Sequence, residues 1–154
     1  MIIVVGHGPS AKRACRRFID QHTVIRLGKP DLDRVKELEK FVGTKTDIVC
    51  SSQIKYRVPD AGFWELRNEP GGRMKFCINK LKPFKPRFEK PSTGLCAVIL
   101  ARHNYPNEDI GVTGFDYTLY PEEDQVDAYG NLWRHDQFAE NRCIKTLGVI
   151  DLFT

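Results

Sequence analysis

The sequence predicts an α/β fold of the three-layer, Rossmann-like kind, a single domain over residues 1–154 with a mostly parallel sheet, and three observations carry that expectation. The chain opens on a continuous apolar run, Ile2-Ile3-Val4-Val5, that breaks at a glycine turn, Gly6-His7-Gly8-Pro9-Ser10, ahead of a basic, partly apolar segment. Strand, tight turn and helix in that order begin a nucleotide-binding α/β unit. Residues 90–120 repeat the theme in reverse: a turn at Pro91-Ser92-Thr93-Gly94, an apolar run from Leu95 to Ala101, then a short strand from Ile110 to Phe115 that ends at Asp116. Between them, strand-length apolar runs alternate with a helix-length amphipathic one, the pattern of a sheet covered by helices.

In chain order, residues 2–5 read as a buried strand and Ser10 to about Gln21 as a helix. The glycine turn is not the full GxGxxG pattern, because Lys12 and Arg13 stand where tight packing of helix on sheet wants a small residue. That favours a single nucleotide near the turn over an extended dinucleotide. Thr23-Val-Ile-Arg-Leu27 reads as the second strand, ended by Gly28 and Pro30. A charged helix follows from about Leu32 to Phe41, with Leu32, Val35, Leu38, Glu39 and Val42 as its core-facing stripe. Asp47 to Cys50 is the third strand, and Ser51-Ser52-Gln53 its end. Further on, Phe63, Trp64 and Leu66 suggest a short helix, and Met74-Lys-Phe-Cys-Ile78 alternates like a strand. Ser92 or Thr93 caps a helix over residues 95–102, whose first turn directs backbone N–H groups toward the same edge as the strand ends. A last helix spans His135 to about Leu147, and Val149 to Phe153 closes the sheet.

Composition bounds the function. A chain of 154 residues buries a core of its own, and a second substrate-binding domain would have to come from oligomerisation. The net charge of +4 suits an anionic ligand and is too mild to name nucleic acid as a partner. The run Lys80 to Phe88 interleaves bases, aromatics and prolines, which fits a rigid surface connection or contact with phosphate. The five cysteines, at 15, 50, 77, 96 and 143, form no CxxC pair, so neither a zinc site nor a redox motif is indicated and a reduced, cytoplasmic setting is expected. The N-terminal MIIVV is too short for a signal peptide, and no apolar run reaches the roughly 20 residues a membrane span needs. The acidic loop Pro121 to Gln125 lacks a clean D-x-D, so no metal site is expected there.

Candidate chemistry gathers in the second half. His135 stands at the start of the last helix, where the helix field disfavours imidazolium and leaves a neutral imidazole suited to a general base. Glu140 lies five positions on and does not share a helical face with it. If His135 precedes the helix proper, Glu140 instead orients a loop or caps a backbone group. Tyr117, Tyr120 and Tyr129 are hydroxyl donors that can receive a departing phosphate through oriented hydrogen bonds.

Several of these stretches together resemble the sialyltransferases, inverting glycosyltransferases that use a CMP-activated sialic acid. Val4-Val5-Gly6-His7-Gly8-Pro9-Ser10 resembles the strand and glycine turn of the bacterial lipooligosaccharide enzymes, where an asparagine often stands at the position of His7. Pro91-Ser92-Thr93-Gly94 with its apolar helix, and Val112-Thr113-Gly114-Phe115-Asp116, resemble the donor-binding short motif of the animal-type enzymes. His135-x-x-x-x-Glu140 matches the spacing of their very short motif. The resemblance implies a GT-A-like fold without a catalytic metal or other cofactor, CMP-sialic acid or a related CMP-sugar as donor, and a glycan as acceptor. It also implies that Gly6, Gly8 and Ser10 surround the nucleotide, that Ser92, Thr93 and Gly94 contact the donor's ribose, phosphate or carboxylate, and that His135 is the acceptor's general base or a phosphate-side acid. His7, either a ligand contact or a polar turn residue, and Asp116 join the nucleotide-binding candidates, and Glu140, Tyr117 and Tyr129 the catalytic ones. The chain departs from the family at Gly28, where an asparagine is common, and in being far shorter than typical members, so that the lid segment covering the donor is expected to be lacking. The competing expectations are a nucleotide-binding module without chemistry and a nucleic-acid accessory protein acting through residues 80–90.

Overall fold

The computed structural model describes residues 1–28, 32–69, 72–87, 90–126 and 135–153, the side chains of residues 32–35 excepted. Its centre is β1 (Ile2–Val5), every residue of which is buried. Ile2 and Val4 face one hydrophobic cluster and Ile3 and Val5 the other, so the strand is covered on both sides, as an uninterrupted apolar run requires. β1 pairs in parallel with β2 (Thr23–Leu27) on one side and with β5 (Ile110–Thr113) on the other, with Ile2 beside both Thr23 and Ile110. The six-stranded sheet has the order β4-β3-β2-β1-β5-β6, with β3 (Ile48–Ser51), β4 (Gly62–Glu65) and β6 (Ile150–Asp151), and all five pairings are parallel. The chain therefore winds outward from β1 to β4, crosses back over the sheet, and resumes at β5. The strand order reverses between β1 and β5, and the carboxyl ends of those two strands border the crevice where such sheets take ligands.

Helices cover both faces. A 3-10 turn (Pro9–Arg13), α1 (Arg16–Ile19) and α2 (Leu32–Val42) form one layer, with Ala11, Ile19, Leu38 and Val42 in its core. On the other face lie α3 (Arg73–Leu81), α4 (Thr93–Asn104) and α6 (Gln137–Lys145). α4 is the crossover from the β4 side to β5; it contacts β1, β2, β3 and β5 below and α3 and α6 at its flanks. Leu95 to Ala101 are accordingly all buried, the condition of a helix apolar around its whole circumference. A short α5 (Asp116–Leu119) follows β5 directly.

Three expectations change. The helix foreseen over Ser10–Gln21 is a 3-10 turn and a short α1, because Ala14 and Cys15 are extended and Ser10 is tied to Asp116. Phe63 and Trp64 belong to β4, paired with Val49 and Cys50, and not to a helix. Residues 74–78 are helical: Met74, Cys77, Ile78 and Leu81 are the buried residues of α3, spaced three and four apart, and they outweigh the two-residue alternation of Met74, Phe76 and Ile78.

Candidate functional site

The site starts from two glycine turns pressed together. The Gly6 N–H donates to the Thr113 carbonyl at 2.8 Å and the Gly8 N–H to the Gly114 carbonyl at 2.9 Å, so the β1 turn continues the sheet past its last strand residue. A Cβ on Gly6 would lie 2.4 Å from the Gly114 oxygen, and one on Gly8 only 2.1 Å from Asp116 Oδ2. Gly114 has φ +72, which favours glycine on its own account. Ser10 and Asp116 lock the arrangement. The Ser10 hydroxyl donates to Asp116 Oδ2 at 2.8 Å and accepts the Gly114 N–H at 3.2 Å, and the Ser10 N–H also reaches the carboxylate. These polar atoms of Ser10 and Asp116 are thus committed to shaping the crevice wall, while Gly6, His7 and Gly8 form its rim.

The start of α4 is the second component. Ser92 caps the helix, its hydroxyl accepting the Leu95 N–H at 3.2 Å. Glu140, only 1% exposed, reaches in from α6: its carboxylate accepts the Ser92 N–H at 3.1 Å and the Ser92 hydroxyl. An anion is favoured at this end of the α4 dipole, and two hydrogen bonds offset the cost of burying it. The N–H groups of Thr93 and Gly94 have no acceptor among the described residues. Gly94 lies against the Phe115 ring, so close that a Cβ there would stand 3.1 Å from Cε1, which brings the α4 start to the end of β5.

His135 lies ahead of α6, not on it. Asp136 caps that helix by accepting the Ala139 N–H at 2.9 Å, and it holds Lys85 Nζ at 2.8 Å. The Lys85 ammonium, followed by the Ala139 N–H, holds the Asp136 carboxyl below the usual aspartate range. His135 Nδ1 is 2.9 Å from the Lys90 carbonyl. A carbonyl can only accept, so Nδ1 carries the proton, and in the neutral ring Nε2 holds the basic lone pair. His135 and Glu140 therefore grip one segment, residues 90–92, at two points. Asn141 adds a third tie, donating to the carbonyls of Thr118 and Leu119 and joining α6 to α5.

Tyr117 is half-buried on α5, next to the end of β5. The Tyr120 hydroxyl is engaged by Asp151 at 2.6 Å on the outermost strand. Tyr129 lies outside the described residues. Gly28 has a local cause: a Cβ there would meet the Ser51 side chain at 2.6 Å and Tyr56 Cβ at 3.0 Å, so no larger residue fits beneath the turn after β3. Phe84 and Lys85 are held to α6, Lys85 by Asp136 and the Phe84 carbonyl by the Arg142 guanidinium at 3.3 Å. Sequence reasoning offers Lys85, with Lys82 and Arg87, as a contact for nucleic acid, whereas its ammonium is engaged with Asp136; it misses Asp136 and Asn141. Asp136 carried a readable signal, an aspartate one residue before an apolar-periodic helix; Asn141 carried none.

Among the described residues no group of three or more His, Cys, Asp or Glu is disposed to hold a metal ion, and no helix is long and apolar enough to cross a membrane. The fold and the crevice define a Rossmann-like α/β domain with a mostly parallel sheet. No family model, no curated protein and no solved structure matches the chain.

Proposed function

We propose that this protein is a glycosyltransferase of GT-A-like build that binds a CMP-activated sugar of the sialic-acid type and transfers it, with inversion and without a metal, to a hydroxyl of a glycan. The observation that supports this reading is the convergence of four stretches that resemble sialyltransferase motifs and lie far apart in sequence. The turn at Gly6 to Ser10 meets Gly114 and Asp116, Gly94 meets Phe115, and His135 and Glu140 both hold residues 90–92. In this mechanism Nε2 of His135 takes the proton of the acceptor hydroxyl. The oxygen attacks the anomeric carbon, and the bond to CMP breaks with its electron pair leaving on the phosphate. The N–H groups of Thr93 and Gly94, with Tyr117, receive the charge that develops on that phosphate. Glu140 acts through Ser92, fixing the helix start that presents those donors.

The test is titration with CMP, UMP, AMP and GMP in the presence of EDTA, followed by transfer assays with CMP-sialic acid. His135→Ala is expected to lower turnover by about a hundredfold or more, as loss of a general base does, and to leave CMP affinity within about twofold. Wild-type turnover in that variant would remove His135 from the mechanism. CMP binding without any transfer or donor hydrolysis would leave a nucleotide-binding module in place of an enzyme.

A further inference from the structure

A cavity of about 220 Å³ opens beside the glycine turn, on the face of the sheet opposite α4. Its floor is Val5 and Arg26, with Leu27, whose side chain packs on the α4 face, at the margin; α2 covers it with Leu38, Glu39 and Val42, and Gly6 and His7 also line it. The apolar side chains make a slot whose polar lining includes Arg26 and Glu39 beside His7, Thr44 and Thr46. Arg26 shares the face of Val24 on β2, and its guanidinium lies under α2, where Nε donates to the Lys45 carbonyl at 2.7 Å and an Nη to the Val42 carbonyl at 2.8 Å. A guanidinium has five N–H groups, and the other three find no acceptor among the described residues. Burial lowers the Arg26 pKa to about 10, with the charges of Asp20 and Glu39 opposing the shift. Glu39 is close enough for its field to be felt at Arg26, yet its carboxylate has no hydrogen bond or ion pair among the described residues. The slot therefore offers unused donors beside an unused acceptor, between apolar walls.

We infer that this slot holds the base of the nucleotide and selects cytosine over uracil, with Arg26 donating to the O2 and N3 side of the ring and Glu39 accepting from the 4-amino group. The inference rests on the CMP-sugar reading above and assigns the base to one cavity and two residues. Cytosine presents two acceptors and then a donor along that edge, matching a guanidinium followed by a carboxylate. Glutamate accepting from the cytosine amino group is an established pairing. Uracil carries an oxygen at position 4 and a hydrogen at N3, so it would set oxygen against carboxylate and N–H against guanidinium. The mismatch excludes uracil by repulsion as well as by the lost bonds. The position also fits a mononucleotide whose phosphate lies at α4: from the slot the ribose would pass Gly6 and His7 at the end of β1, both of which line the slot.

The experiment is calorimetric titration of CMP and UMP into the wild-type protein and into Glu39→Gln, with thermal melting of both to confirm equal folding. Glu39→Gln is chosen because Arg26 also caps the end of α2, and its removal would disturb the fold. A glutamine amide can rotate to serve either base. The wild type is expected to prefer CMP by about ten- to a hundredfold, the scale of one good pairing to a base edge, and the variant to lose most of that preference. Thr44→Trp, which places a bulky ring at the exposed edge of the slot without touching either polar group, is expected to weaken CMP binding at least tenfold. CMP binding with an unchanged preference in Glu39→Gln, or equal wild-type affinity for CMP and UMP, overturns the assignment of the base and leaves the CMP-sugar reading standing. No binding of any nucleotide by the wild type overturns both.

Discussion

At the scale of single residues, Glu140 is the side chain on which the site most depends. It is a buried carboxylate held by the Ser92 N–H and hydroxyl, and the same Ser92 caps α4. Glu140→Ala removes the acceptor from two buried donors and is expected to cost about 3 kcal/mol, since hydrogen bonds to a charged group are each worth roughly 1.5–3 kcal/mol. Glu140→Gln keeps one acceptor and is expected to cost about half of that. Urea unfolding measures both; an Ala variant within about 0.5 kcal/mol of wild type, the range of an indifferent surface change, would show that Ser92 does not need it. In the sequence His135 stands out by its place at a helix start, and Glu140 by the resemblance of their spacing to a family motif. A residue just before this helix and one in its first turn both reach residues 90–92. Tertiary contact settled what each of them holds.

At the scale of elements, the join between α6 and the turn after α3 carries a pH dependence. Lys85 and the Ala139 N–H depress the Asp136 carboxyl, so the folded state favours the ionised form more than the unfolded chain does. The contribution is complete above the unfolded value near 3.9 and is lost as pH falls through the lower folded value. Asp136→Asn keeps a capping oxygen and loses the charge. Its stability deficit against wild type, followed by thermal melting, is expected at pH 7 and should shrink toward zero near pH 2–3. A deficit unchanged at low pH would assign it to the cap alone. β1, β2, α2, β3, α4 and β5 were legible because each has a clean period or an apolar run bounded by glycine, proline or a capping residue. The stretch from 55 to 90 was not. β4 is a half-buried four-residue edge strand whose pattern is too short to establish a period, and α3 satisfied two periods until burial selected the helical one.

The whole molecule carries five free cysteines, of which Cys50, Cys77, Cys96 and Cys143 are buried and Cys15 is exposed. Burial raises the thiols of Cys50 and Cys143, the latter to about 11, and a hydrogen bond with Cys77 together with burial raises Cys96. Because the thiolate is the reacting form, one cysteine is expected to react promptly with a disulfide reagent at pH 8 and four only at the rate of unfolding. Several fast thiols would contradict the packing around α4. The sign for stability follows: full below the unfolded thiol value near 8.5, and eroded as pH rises and unfolded thiols ionise while buried ones stay protonated. Local pattern already dictates the layers and the parallel sheet, because alternating runs of strand and helix length have few ways to bury their apolar faces. It also dictates which turns carry glycines and a cap. Folding alone brings Ser10 to Asp116, sets Glu140 under Ser92, crowds Gly28 with Ser51 and Tyr56, and places Arg26 and Glu39 in one slot. Those pairings join residues far apart in the chain, and local pattern contains no term for a partner that only the folded sheet brings within reach.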